Sequence, residues 1–136
     1  MLIDYVEIAA PFYEQWPPKS HTDIFIASDN KPHEPIYARE VLARFLKRVW
    51  RRPVGSQDVD PVVALFEKYR SEFGTFEEAM VEVLATALAS PEFLYVTQRT
   101  TAPDTTTPAR INDFELANRL AVFLWSSIPD DEQIGR

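Results

Sequence analysis

The chain has 136 residues, no cysteine, and 14 Lys and Arg against 21 Asp and Glu, a net charge of −7. This length suits one domain of ordinary size. The lack of cysteine excludes zinc-ribbon, iron–sulfur, c-type haem and thiol chemistry within these residues, and the acidic balance opposes binding to nucleic acid or to an anionic membrane surface.

In chain order, "LIDYVEIAA" alternates well enough to predict a short strand, which Pro17 and Pro18 then break, since proline can neither extend a ladder nor enter a helix interior. Asp4 and Glu7 stand where an export signal would be basic and then apolar. The run Ile24 to Ala27, between turn-rich stretches, is a brief strand or a buried loop. From Ala38 the pattern turns helical: Val41, Leu42, Phe45, Leu46, Val49 and Trp50 form one stripe. Pro53 ends this helix by pushing Arg52 toward extended geometry.

Ser56 is a plausible cap for a second helix, with Val59, Val62, Val63, Phe66 and Tyr69 on one face and Gly74 as its stop. Thr75 and Glu78 form a capping box for a third, with Phe76, Met80, Val83, Leu84, Ala87 and Leu88 inward. Ser90-Pro91 restarts the chain as a short turn, proline being welcome at a first helical position. Residues 97–110 hold six threonines and two prolines and read as a linker or an exposed loop. Asn112 with Glu115 repeats the capping pattern ahead of a fourth helix, on which Phe114, Ala117, Leu120, Ala121 and Leu124 align. Ile128-Pro129-Asp130-Asp131-Glu132 then reads as the start of another helix, and the longest apolar run, residues 83–89, is far too short to span a membrane.

The expected fold is therefore mainly α. Residues 1–37 form a short β or irregular N-terminal arm, 38–96 an antiparallel three-helix domain, 97–111 a Thr/Pro-rich linker, and 112–136 the start of a further helical domain.

Charged and aromatic clusters have both functional and structural readings. Arg44, Lys47, Arg48, Arg51 and Arg52 suit phosphate contact. Cations near a helix C-terminus also complement its dipole, and residues 54–92 supply eight acids against two bases; the structural reading is favoured. The arginine pair is expected to bridge helix ends through hydrogen bonds to carbonyls. Glu77, Glu78 and Glu82, and Asp130, Asp131 and Glu132, read as first-turn acids rather than as an acid/base pair or a calcium site. His21 and His33 lack a third ligand at convincing spacing. Trp16, Trp50 and Trp125 with Phe12, Tyr13 and Tyr95 admit a sugar-stacking surface, with Trp16 the most open to it. Ser126-Ser127 has no nucleophile-elbow context. No catalytic, cofactor-binding or metal-ligating residue is assigned.

Three phrases carry a resemblance: Arg51-Arg52-Pro53-Val54, the turn from Gly74 through Thr75 to Glu78, and Ser90-Pro91-Glu92-Phe93-Leu94-Tyr95. Together they resemble the helical domain of unknown function 1595, found in large multidomain proteins of planctomycetes and related bacteria, often beside c-type cytochrome domains. The end of the chain, with Glu115-Leu116-Ala117-x-Arg119-Leu120 and Phe123-Leu124-Trp125-Ser126-Ser127-x-Pro129-Asp130, is similar to the opening of a usual neighbour, domain of unknown function 1592. The opening "VEIAAPFYEQWPP" is similar to the exit of the preceding segment. Val96 departs from the arginine expected there, which weakens an anion-binding role for that corner.

The resemblance implies no defined activity; the first functional reading is a non-catalytic helical module whose partners are flanking domains of the same polypeptide. Haem c would lie only in those domains, and the location would be periplasmic or otherwise outside the cytoplasm. It also implies a chain cut inside the next domain. Two other readings stay open: part of the wall of a redox or carbohydrate-directed enzyme, and a helical interaction protein that buries its Phe114–Trp125 face in a partner or in a second copy.

Overall fold

The structure, a computed structural model, describes residues 13–95 and 111–125. Its elements are helices: α1 (Lys19–Ile24), α2 (Glu34–Val49), α3 (Ser56–Arg70), α4 (Phe76–Leu88), α5 (Pro91–Leu94) and α6 (Asp113–Trp125). No strand occurs among the described residues, so the molecule is mainly α. The strand read over residues 2–10 lies outside them, as does the linker.

Helices α2, α3 and α4 pack on one another, and α5 packs against α4. Their apolar stripes supply the core: Val41, Leu42, Leu46 and Val49 from α2, Val59, Val63 and Phe66 from α3, and Phe76, Ala79, Met80, Val83, Leu84 and Ala87 from α4. Phe76, the first residue of α4, is the aromatic hub. Its ring lies 5.0 Å from Phe66, 5.1 Å from Tyr37 and 6.4 Å from Phe25 between centroids, within the range of favourable tilted ring pairs. One cap position thus sets the entry of α4 and delivers the residue on which three segments converge.

The N-terminal region corrects the expected arm. Pro18 does not merely break a strand; it precedes the helical turn α1, stabilised at its surface by a Lys19–Asp23 ion pair. Ile24 to Ala27 is not a strand, and Phe25 dips into the core. The loop that follows is pinned to α2: Tyr37 Oη donates to the Ile26 carbonyl (2.9 Å), and Ser28 and Asn30 both donate to the Glu40 carboxylate. These bonds hold the Glu40 carboxyl below the usual carboxylate range, Ser28 contributing most.

Helix α2 begins at Glu34, a turn earlier than Ala38, because Pro35 sits in the first turn, where a missing N–H costs nothing. Gly55 rather than Ser56 precedes α3, and its N–H donates to Asp58 Oδ2 at 3.0 Å; an acid three residues on does the capping that the serine was expected to do. At α4 the Thr75–Glu78 box is formed in both directions. Leu88, expected inward, is exposed at the end of that helix.

Candidate functional site

The most connected polar region is the corner where α2 ends, α3 begins and α5 departs. Trp50 closes α2, its N–H donating to the Leu46 carbonyl at 2.9 Å. Arg51 then takes φ 55°, the left-handed conformation that glycine usually supplies just past a helix end. This places its guanidinium over the exit of α5. Nη2 donates to the carbonyls of Phe93 (3.0 Å), Tyr95 (3.4 Å) and Glu92 (3.5 Å), satisfying acceptors that a helix terminus leaves open. Arg52 turns the other way. It grips Asp58 with two hydrogen bonds of 2.7 and 2.9 Å, donates to the Pro53 carbonyl, and lies over the Trp50 ring at 5.1 Å. Trp50 Nε1 in turn donates to Ser90 Oγ at 3.0 Å, and Ser90 Oγ donates to the Ala87 carbonyl.

The adjacent arginines therefore do different work. Hydrogen bonding to Asp58 raises the pKa of Arg52 further and fixes the head of α3. Arg51, partly buried, has its pKa lowered by desolvation alone and makes no ion pair among the described residues. Pro53 follows the pair, and Pro91 opens α5 as its first-turn proline. Ser90 makes no side-chain cap bond to α5; its hydroxyl serves Trp50 and α4 instead.

Helix α6 lies across this corner. Asn112 caps it, Oδ1 accepting from the Glu115 N–H at 2.8 Å. Its inward residues are Asn118, 9% exposed, and Ala121, 2% exposed, with Phe114 and Ala117 half-buried beside them. Leu120 and Leu124, expected to share that face, are 45% and 58% exposed. The helix carries two apolar stripes, and the sequence reading merged them. The second comprises Leu116 (44% exposed), Leu120, Phe123 (84%) and Leu124, spaced for one outer face. Between α6 and the corner is a cleft of about 270 Å³, lined among others by Arg51, Arg52, Glu92, Tyr95, Glu115 and Asn118. Asn118, which the sequence reading passed over, is the one buried polar residue among those described. A polar residue in the register of an apolar stripe was the signal that could have found it.

The remaining candidates are scattered. Arg44 and Arg48 face Asp23 from α2, and Lys47 takes no part in the corner. Of Glu77, Glu78 and Glu82, only Glu78 makes a cap bond. His21 stacks on Phe25 at 4.7 Å, and His33 precedes α2; no group of three potential metal ligands occurs among the described residues. Trp16 is largely exposed, its ring 5.7 Å from that of Tyr13. Trp125 ends α6; Phe12, Val96, Ser126, Ser127, Pro129, Asp130, Asp131 and Glu132 lie outside the described residues. No helix among those described is long and apolar enough to cross a membrane.

No curated protein and no solved structure matches the chain. A family model does match residues 37–98, a little under half of the chain: PSD5, protein of unknown function (DUF1595). The matched stretch runs from the first turn of α2 past α5 and contains the whole corner, so this part of the chain is similar to that family.

Proposed function

We propose that the chain is a non-catalytic helical module that holds neighbouring domains of a larger polypeptide in register. The observation that carries this reading is the outer face of α6. Five large apolar side chains, Leu116, Leu120, Val122, Phe123 and Leu124, stand 44–84% exposed on a helix whose other face is already seated on the corner. A helix apolar on both sides is built to be enclosed, and enclosure here requires a second surface beyond α2 to α5. The domain limits proposed with it are an arm over 1–37, which the start of α2 at Glu34 overlaps, a three-helix domain over 38–96, a linker over 97–111, and from 112 the opening of a further helical domain resembling domain of unknown function 1592. In the planctomycete-type architecture that the resemblance implies, haem c would be held by flanking domains, outside the cytoplasm.

Hydrogen exchange tests this. The amides of α6 should exchange at least tenfold more slowly when the chain is expressed with its native flanking sequence than in the 136-residue form, while the α4 amides stay unchanged. Equal exchange of α6 in both forms would sink the reading.

A further inference from the structure

The cleft between α6 and the corner brings together what an anionic ligand needs. Arg51 is a desolvated cation whose Nη2 is held by three carbonyl oxygens and which has no carboxylate partner among the described residues. Four buried polar side-chain atoms among the described residues lack a hydrogen-bond partner, and three of them belong to residues of this cleft: Arg51 Nε, Arg52 Nε and Asn118 Oδ1. Such atoms are rare in folded proteins and point to a missing partner. Asn118 stands out because its neighbours in register, Phe114, Ala117 and Ala121, are apolar; a leucine there would serve packing alone. The one buried polar side chain of the described structure thus lines the same cleft as a partly buried arginine that makes no ion pair among the described residues.

The rim narrows the class of ligand. Glu92 and Glu115 carry carboxylates at the mouth, both already engaged within the protein; they disfavour a doubly charged phosphate and can accept hydrogen bonds from hydroxyl groups. Tyr95 lies largely exposed beside them and offers a ring face. At about 270 Å³ the cleft falls just below the usual range for drug-sized ligands, which suits a single sugar ring. We propose that this cleft binds a small hydroxylated monocarboxylate of the sugar-acid class, its carboxylate held by Arg51, one hydroxyl donating to Asn118 Oδ1 and its other hydroxyls met by the rim. The carbonyls hold Nη2 and leave Arg51 Nη1 to meet a carboxylate in a charge-assisted hydrogen bond, and the unpartnered Oδ1 of Asn118 is an acceptor for a ligand hydroxyl.

Calorimetric titration of the full 136-residue chain tests this, with D-glucuronate as probe and D-glucose, acetate and inorganic phosphate as comparisons. Glucuronate should bind at least tenfold more tightly than any of the three. Asn118→Leu, which leaves the Arg51 clamp intact and keeps α6 apolar in register, should weaken glucuronate binding tenfold or more, as should Arg51→Gln if its circular dichroism stays native. The proposal is overturned if glucuronate gives no binding heat, if glucose or phosphate binds as tightly, or if Asn118→Leu binds glucuronate like the unaltered chain. In that last case Asn118 is only a polar residue tolerated in an interface.

Discussion

Helices α4 and α6 have the same length, thirteen residues, and both open on a side-chain cap, yet they end in different circumstances. Thr75 Oγ1 accepts from the Glu78 N–H at 3.2 Å, and Asn112 Oδ1 accepts from the Glu115 N–H at 2.8 Å. After that shared start, α4 buries Phe76, Ala79, Met80, Val83, Leu84 and Ala87, while among its described side chains α6 buries only Asn118 and Ala121 and leaves Leu116, Leu120, Val122, Phe123 and Leu124 to solvent. Local code decides that a helix forms and where it begins. How much stability it carries depends on what its faces find to pack on, because a thirteen-residue helix is marginal by itself.

Matched truncations on the two helices give the largest contrast. Met80→Ala opens a cavity in a side-chain cluster with no access to water, and should lower the free energy of urea unfolding by about 2–5 kcal/mol. Leu120→Ala removes a similar volume from an exposed site and should change it by less than about 0.5 kcal/mol. A loss of more than 2 kcal/mol from Leu120→Ala would mean that the outer face of α6 is already covered within this chain, and the contrast would fail.

The corner on which α6 rests should respond next. The Arg52–Asp58 pair is bidentate, with side chains only 19% and 14% exposed, and it ties the end of α2 to the head of α3. Arg52→Ala leaves the Asp58 carboxylate partly buried without its cation and uncovers Trp50. The expected loss is about 1–3 kcal/mol, between the values for exposed and for fully buried pairs, with a matching fall in Tm. An unchanged Tm would reduce the pair to surface decoration.

The sequence showed α2, α3 and α4 because their stripes have one face each and their limits are marked by Pro53, Gly74 and the Thr75–Glu78 box. It misread α6 for a physical reason: with apolar residues on both sides, periodicity alone cannot say which stripe is buried, and the reading combined Ala121 from one face with Leu120 and Leu124 from the other. The corner was half legible. That arginines would reach carbonyls followed from guanidinium chemistry, but which of the two would cross to the carbonyls at the exit of α5 hangs on the φ of 55° at Arg51, and nothing in a string of residues marks an arginine for the left-handed region. The α1 turn escaped because Pro17 and Pro18 were read only as breakers, whereas Pro18 and Pro35 both stand beside helix starts; of the two readings of Ile24 to Ala27, the buried loop is the one that fits the inward Phe25.

The two caps sharpen the comparison at smaller scale. Thr75→Ala should cost about 1 kcal/mol of global stability. Asn112→Ala removes a bond of the same kind from a helix expected to open locally before the core unfolds, so it should leave the urea midpoint in place. Amide exchange would separate the two, with faster exchange in α6 alone for Asn112→Ala.

The smallest effect expected is a pH dependence confined to the core. Arg70 donates two hydrogen bonds to Glu34, 2.6 and 3.0 Å long, joining the end of α3 to the start of α2. The Arg70 bonds, opposed in part by desolvation, hold the Glu34 carboxyl below the usual carboxylate range. A carboxylate whose pKa is lower folded than unfolded adds stability that is complete above its unfolded pKa and vanishes as pH falls through the folded one. The loss should therefore begin below about pH 5 and continue downward through the acid range. Glu34 is 40% exposed and Arg70 31%, so solvent screening keeps the contribution under about 1 kcal/mol. Unfolding curves at pH 7 and pH 3.5 should differ less for Glu34→Gln than for the unaltered chain. Part of the slope should persist, because Ser28 and Asn30 depress Glu40 in the same direction. If Glu34→Gln left the slope intact, the α2–α3 pair would carry no linkage, and the acid sensitivity of the core would rest on Glu40 and on Asp23, which Lys19 holds below the usual range.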